Sequence, residues 1–174
     1  MATFNNQINI SDIPKIQDLE YHPLENRYKA ALYVYFVVST LLLGSILAAL
    51  LLIKQIRLPE LALWIAGVVF TIRTITSFLK IAFGFKFKQY AVREKDVIYN
   101  SGWLWRSSTT APFNRVQHIR IDQGPIERRF NLSRLKIFTA GGSSSDLTIP
   151  GLDPTNANKL KQFIVSKTSM DEEE

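Results

Sequence analysis

The chain has 174 residues, room for one ordinary domain and a small addition, with a formal net charge of +6, 47% hydrophobic residues and no cysteine. Without cysteine it can hold no disulfide, zinc ribbon, thiolate cluster or cysteine nucleophile. The charge is uneven: residues 1–29 hold three Lys/Arg against four Asp/Glu, residues 30–85 four against one, and residues 86–174 fourteen against ten, of which Asp171, Glu172, Glu173 and Glu174 form the tail. A basic folded region with an acidic fringe is the pattern to explain.

Residues 30–53 run for 24 positions without a charge. A helix needs about 20 such residues to cross a bilayer, so this stretch predicts a membrane span. About thirty residues precede it and its apolar run is long, so it does not read as a signal peptide. A second span is predicted at 61–79, roughly 28 Å of helix, interrupted by Arg73. That arginine reads as a side chain snorkelling to the headgroups; the alternative is an ion or substrate pathway, which would make the protein a transporter or channel component. The connector KQIRLPE is short, with proline near the start of the second helix, so the spans form a hairpin and both termini share one side. Lys54 and Arg57 lie in the connector, against Arg27, Lys29, Lys80, Lys86 and Lys88 in the flanks. Five against two predicts a cell-membrane protein with both termini in the cytoplasm.

From residue 86 the pattern changes to alternation. Residues 87–92 have strand composition, and Val97, Tyr99, Trp103 and Trp105 share one phase of a two-residue period. That phase points Trp103 and Trp105 into the core; the alternative is a membrane-facing aromatic belt. Residues 115–122 place Ile119 and Ile121 in one phase and His118, Arg120 and Asp122 in the other. Residues 134–139 repeat this, with Leu135 and Ile137 opposed to Arg134 and Lys136. A short strand at 147–149 follows the turn GGSSSD. Asp153 is a good N-cap and Pro154 fits the first helical position; Ala157, Leu160, Phe163 and Ile164 then give an apolar face. The prediction is an α+β chain: a 1–29 N-terminal segment, a 30–85 transmembrane hairpin, an 86–168 small antiparallel β-sandwich or barrel plugged by a C-terminal helix, and a 169–174 acidic tail.

The Tyr21-His22-Pro23 entry, the strand VIYNSGWLWRSS and the run PFNRVQHIRIDQGPIERRFNLSRLKIFTAGG carry a family resemblance. In the last, a Pro-x-x-Arg-Val lead is followed by Gln-Gly-Pro, Arg128, and Thr139-Ala140-Gly141. From about residue 21 to 164 the chain resembles the YdbS-like bacterial PH-domain membrane proteins. The resemblance implies a pleckstrin-homology-like sandwich with a C-terminal helix, tethered to a two-helix anchor. Glycine is common in that family where this chain has Asn131, and asparagine also tolerates a left-handed backbone. A larger relative with repeated hairpin-plus-domain units often accompanies the short form, which implies a membrane complex.

Chemistry-bearing motifs are absent: there is no G-x-G-x-x-G, G-x-x-x-x-G-K-[ST], H-E-x-x-H or G-x-S-x-G. Gly141-Gly142 reads as a hairpin turn, not a phosphate loop, and His22 and His118 do not pair as metal ligands. The expectation is no enzyme, no cofactor and no metal. The candidate site is a basic rim of Arg115, Arg120, Arg128, Arg129, Arg134 and Lys136, on consecutive strands and the corner between them. Its predicted partner is a membrane protein, either a larger family member or a second copy. Anionic lipid is the alternative, and nucleic acid is not expected. The plain reading is that these cations are ordinary surface residues, some paired with Glu127 and Asp122.

Overall fold

The structure is a computed structural model that describes residues 19–52, 59–140 and 147–171. Most of the N-terminal segment, the connector with Lys54 and Arg57, the GGSSSD turn and the end of the acidic tail lie outside the described residues.

Helix α1 (Asn26–Leu52) and helix α2 (Glu60–Gly84) are 27 and 25 residues long. At 1.5 Å per residue they measure about 40 and 37 Å, enough for the hydrocarbon layer and part of the headgroup layer. Pro59, φ −57°, precedes α2, where its missing N–H costs no helical hydrogen bond. The helices are antiparallel: Tyr33 and Phe36 each meet the Phe78 ring at 6.2 Å. A Cβ on Gly44 would stand 3.6 Å from the Phe70 ring. Their outward faces expose Leu41, Leu42, Ile46, Trp64, Val68 and Val69. A soluble core helix would have these side chains covered by protein; here lipid is the medium they fit.

Among the described residues, seven strands follow the hairpin or flank it. One sheet pairs β1 (His22–Pro23), β2 (Gln89–Val92), β3 (Asp96–Ser101) and β4 (Ser107–Pro112) in that order. The other pairs β5 (Val116–Asp122), β6 (Ser133–Thr139) and β7 (Leu147–Leu152). All pairings are antiparallel. The alternation read from residues 115–122 and 134–139 is the observed one: Ile119 lies opposite Ile137 and Ile121 opposite Leu135, on the inner face. A five-residue helix α3 (Pro125–Arg129) makes the β5–β6 corner, and α4 (Pro154–Asp171) closes the domain. Asp153 Oδ1 accepts the Thr155 N–H at 2.9 Å, the N-cap bond its position predicted. Ala157, Leu160 and Ile164 are buried, while Phe163 is partly exposed and set edge-on to Phe113. The fold is therefore α+β, two long apolar helices followed by antiparallel sheets and a terminal helix.

The core does not begin at residue 86. Leu24, Tyr28 and Ala31 belong to the same buried cluster as Val97, Leu135 and Ile149. His22 pairs with Tyr90 and Pro23 with Gln89, which adds an edge strand to the first sheet. The Glu25 N–H donates to the Gly151 carbonyl at 3.4 Å. Arg27 Nη2 donates to Asp153 Oδ2 at 3.0 Å. Tyr28 lies directly on Gly151, where φ is +67° and an added Cβ would stand 2.3 Å from Tyr28 Cγ. The tether implied by resemblance is thus a packed junction, in which the first turns of α1 serve as part of the domain. A two-residue strand is too short to show alternation, and the first helical turns merge with the apolar span.

The two tryptophans depart from the phase argument. Strand β3 ends at Ser101, and Gly102, φ +99°, turns the chain out of it. A Cβ there would stand 1.7 Å from the Trp105 carbonyl oxygen, so only glycine closes this loop. Ser101 pairs with Ser107 across it. The loop cancels the two-residue phase, and Trp103, Leu104 and Trp105 are 41%, 76% and 84% exposed instead of packed in the core. Strand β4, SSTTAP, has no apolar alternation and is formed by its pairing with β3.

Candidate interaction surface

The corner at residues 122–134 is organised by one buried carboxylate. Glu127 is 1% exposed. Its Oε2 accepts the Gly124 N–H at 2.6 Å, satisfying an orphan donor at the start of α3. Its Oε1 accepts from Arg134 Nε at 2.9 Å and also from Arg134 Nη2. A carboxylate this buried would be costly alone; the two-pronged arginine contact offsets that cost. Burial works against the Arg134 charge, but the hydrogen bond and charge of Glu127 outweigh it and raise the guanidinium pKa above its ordinary value. The chain then leaves α3 through Asn131, φ +52°, and the Gln123 side chain donates to the Leu132 carbonyl at 3.0 Å. Ile126, Phe130 and Leu132 anchor the corner to the core.

The outer face of the second sheet carries a second cluster. Lys136 Nζ and Arg120 Nε each lie 2.9 Å from the Asp122 carboxylate, on its two oxygens. The Lys136 hydrogen bond is the main cause that lowers the Asp122 pKa; burial opposes it, and Arg120 adds to the lowering. Arg120 also lies 5.9 Å over the Phe138 ring, which His118 stacks against at 4.1 Å. Arg115 stands at the other end of β5, where its carbonyl accepts the Ala140 N–H at 2.9 Å. Seven residues of strand, about 23 Å, separate it from Asp122. Arg128 and Arg129 are exposed on α3 and take part in none of the ion pairs among the described residues. The six candidate cations therefore do not form one rim. Arg134 is neutralised by Glu127, Arg120 and Lys136 share Asp122, Arg115 is remote, and the adjacent pair Arg128 and Arg129 stands free.

Helix α3 packs against α1, with the Cβ direction of Gly124 3.4 Å from the Tyr35 hydroxyl. The free arginine pair thus sits on a corner braced directly on a long apolar helix. A family model described as Bacterial PH domain matches residues 34–168. The chain belongs to the bacterial PH-domain family. It is also 29% identical over 132 residues to the UPF0699 transmembrane protein YdbS of Bacillus subtilis (strain 168), covering 74% of this chain and 79% of that protein. A crystal structure of a DUF1696 family protein with a pleckstrin-homology domain, from Shewanella loihica PV-4, superposes with a TM-score of 0.37 and 13% identity, covering 47% of this chain and 70% of that one. The molecule is a transmembrane protein with two apolar spans and a bacterial PH domain, a class of membrane protein rather than a known enzyme class.

Three further features stand out in the structure; the sequence raised two of them as alternatives, Trp103 and Trp105 as an aromatic belt and Arg73 as part of a pathway, and missed the first. Lys29, Lys86 and Lys88 line a shallow cleft with Leu24, Glu25 and Phe85, where both helices leave the apolar region. Lys88 lies 5.5 Å over the Tyr28 ring, and burial pushes its pKa down. The only available signal was the flanking-lysine count, which speaks to orientation and not to a cleft. The second feature is the exposed Trp103-Leu104-Trp105 loop. The third is the setting of Arg73: its Nη2 donates to Ser39 Oγ at 3.3 Å, and Nη1 is buried with no hydrogen-bond partner. The side chain lies in the seam between the helices at its own depth, so it does not reach back to the headgroups. Among the described residues, no three His, Cys, Asp or Glu side chains group as metal ligands.

Proposed function

We propose that this protein is a non-enzymatic, membrane-anchored interaction module whose PH domain docks a membrane protein partner, either a larger relative with repeated hairpin-plus-domain units or a second copy of the chain. The observation that carries the reading is the free Arg128 and Arg129 pair on α3, a corner braced on α1, so a partner helix pair beside the hairpin would meet both the lipid-facing helix and the arginines. The partner surface that fits is acidic. Both termini lie in the cytoplasm on this reading, following the excess of lysine and arginine around the outer ends of the hairpin. Purification of the full chain in mild detergent, with identification of co-purifying membrane proteins, tests it. Arg128→Glu with Arg129→Glu should lose the partner while the protein stays folded and monodisperse. Unchanged co-purification by that variant would remove the arginine pair from the interface.

The Lys29, Lys86 and Lys88 cleft favours a second reading, in which an anionic lipid headgroup orients the domain. Each lysine near an anionic surface contributes about 1 kcal/mol. Triple replacement by glutamine should lower the anionic lipid retained by the purified chain; equal retention would reject the cleft as the lipid site.

A further inference from the structure

We infer that the Trp103-Leu104-Trp105 loop is a membrane-interface wedge, inserted in the headgroup layer next to the exit of α2 and lying against the bilayer surface. The argument begins with depth. The span predicted in α2 ends at Leu79, and Lys80 follows on the exposed surface. Phe83 is four residues past Leu79, about 6 Å along the helix axis. The headgroup layer of one leaflet is about 5–7 Å deep beyond the hydrocarbon edge, so Phe83 lies within it. Trp103 stacks on Phe83 with ring centroids 5.5 Å apart and planes inclined by 28°. Its Cβ is 3.8 Å from the Cβ direction of Gly84. The loop is therefore held against the helix at headgroup depth.

Composition and exposure agree with that placement. Leu104 and Trp105 are the most exposed large apolar side chains outside the two helices among the described residues. They neighbour Trp103, which stacks on Phe83, the last exposed large apolar side chain of α2. Tryptophan favours the membrane–water interface, where its ring is buried and its N–H stays hydrated. The next residue, Arg106, stands 5.4 Å over the Phe87 ring, which sets a cation beside the loop. The same set of residues would make a poor surface in water and a good one at a lipid headgroup boundary. The function that follows is orientational: the wedge adds a third point of contact to the two helices and holds the domain at one tilt over the bilayer.

Tryptophan fluorescence in nanodiscs tests this with the full chain. Trp64→Phe removes the tryptophan inside the span; adding Trp103→Phe leaves Trp105 as sole reporter, and adding Trp105→Phe leaves Trp103. Each substitution retains an aromatic ring, so the fold should persist. The expected result is loss of most Trp105 emission with lipids brominated high in the acyl chain, weaker quenching by deep bromine, and little quenching by aqueous iodide. Strong iodide quenching without bromolipid quenching would place the loop in water and overturn the inference. Resistance to both quenchers would mean that protein covers the loop, and would overturn it equally.

Discussion

Glu127 and Gly151 show how single residues carry this fold. Among the described residues, Arg134→Ala would leave the Glu127 carboxylate with only the Gly124 N–H as partner. Breaking a buried pair from one side costs about 3–5 kcal/mol, and the partly exposed arginine puts this case at the low end, about 3 kcal/mol. Denaturant unfolding of the detergent-solubilised protein checks it, and an unchanged midpoint would show that Arg134 is a surface cation. Gly151→Ala meets two obstacles at once, a left-handed φ and the Tyr28 side chain. A left-handed alanine costs about 1–2 kcal/mol and overpacking about 1–3 kcal/mol, so a loss of about 3 kcal/mol is expected in the same measurement. The sequence allowed for a cation paired with Glu127, but neither the burial of that carboxylate nor the contact at Gly151 was visible in it. PIERR looks like a solvated charged turn until Arg134 arrives from the next strand, and Gly151 looks like a turn residue until Tyr28 reaches it from the other end of the chain.

At the scale of elements, what could be read locally was read. Strands β5 and β6 announce themselves because one face is buried and the other is wet, so a two-residue period survives in the composition. The Asp153-Pro154 start of α4 works the same way, because a cap is a contact between near neighbours. That cap also makes a pH prediction. The Thr155 N–H is the main cause that depresses the Asp153 pKa, burial opposes it, and Arg27 adds to the depression. A folded pKa below the unfolded one stabilises fully above the unfolded value of about 3.9 and loses that stability as pH falls through the folded value. The stability gap between the native chain and Asp153→Asn should therefore be constant near neutrality and shrink in acid below about pH 4. A gap independent of pH down to the acid transition would contradict the cap and ion-pair account. Elements set by distant pairing were not legible. Strand β1 is two residues long, β4 is serine and threonine with little apolar content, and the Gly102 loop breaks the phase that had pointed Trp103 and Trp105 inward. The candidate rim was half legible: the alternation put Arg120, Arg134 and Lys136 outward, but only the pairing register shows that Asp122 and Glu127 occupy three of its six cations.

The whole molecule is a hairpin and a sandwich built as one piece. Residues 22–31 form the edge strand, the sheet contact and the Arg27–Asp153 bridge before α1 continues into its apolar length. On the other side α2 passes into the sandwich through a 3-10 turn at Phe85–Phe87 with no linker between. Such a domain cannot swing freely; it presents the same corner and the same loop to whatever lies beside the hairpin. Because the chain has no cysteine, two can be introduced for spin labels without background. Ser45→Cys on the exposed face of α1 and Gln117→Cys on the exposed face of β5 report the angle between hairpin and domain. Pulsed electron–electron dipolar spectroscopy in nanodiscs should give one narrow distance distribution. A broad or multi-peaked distribution would mean that the domain moves on its anchor, and would contradict the account.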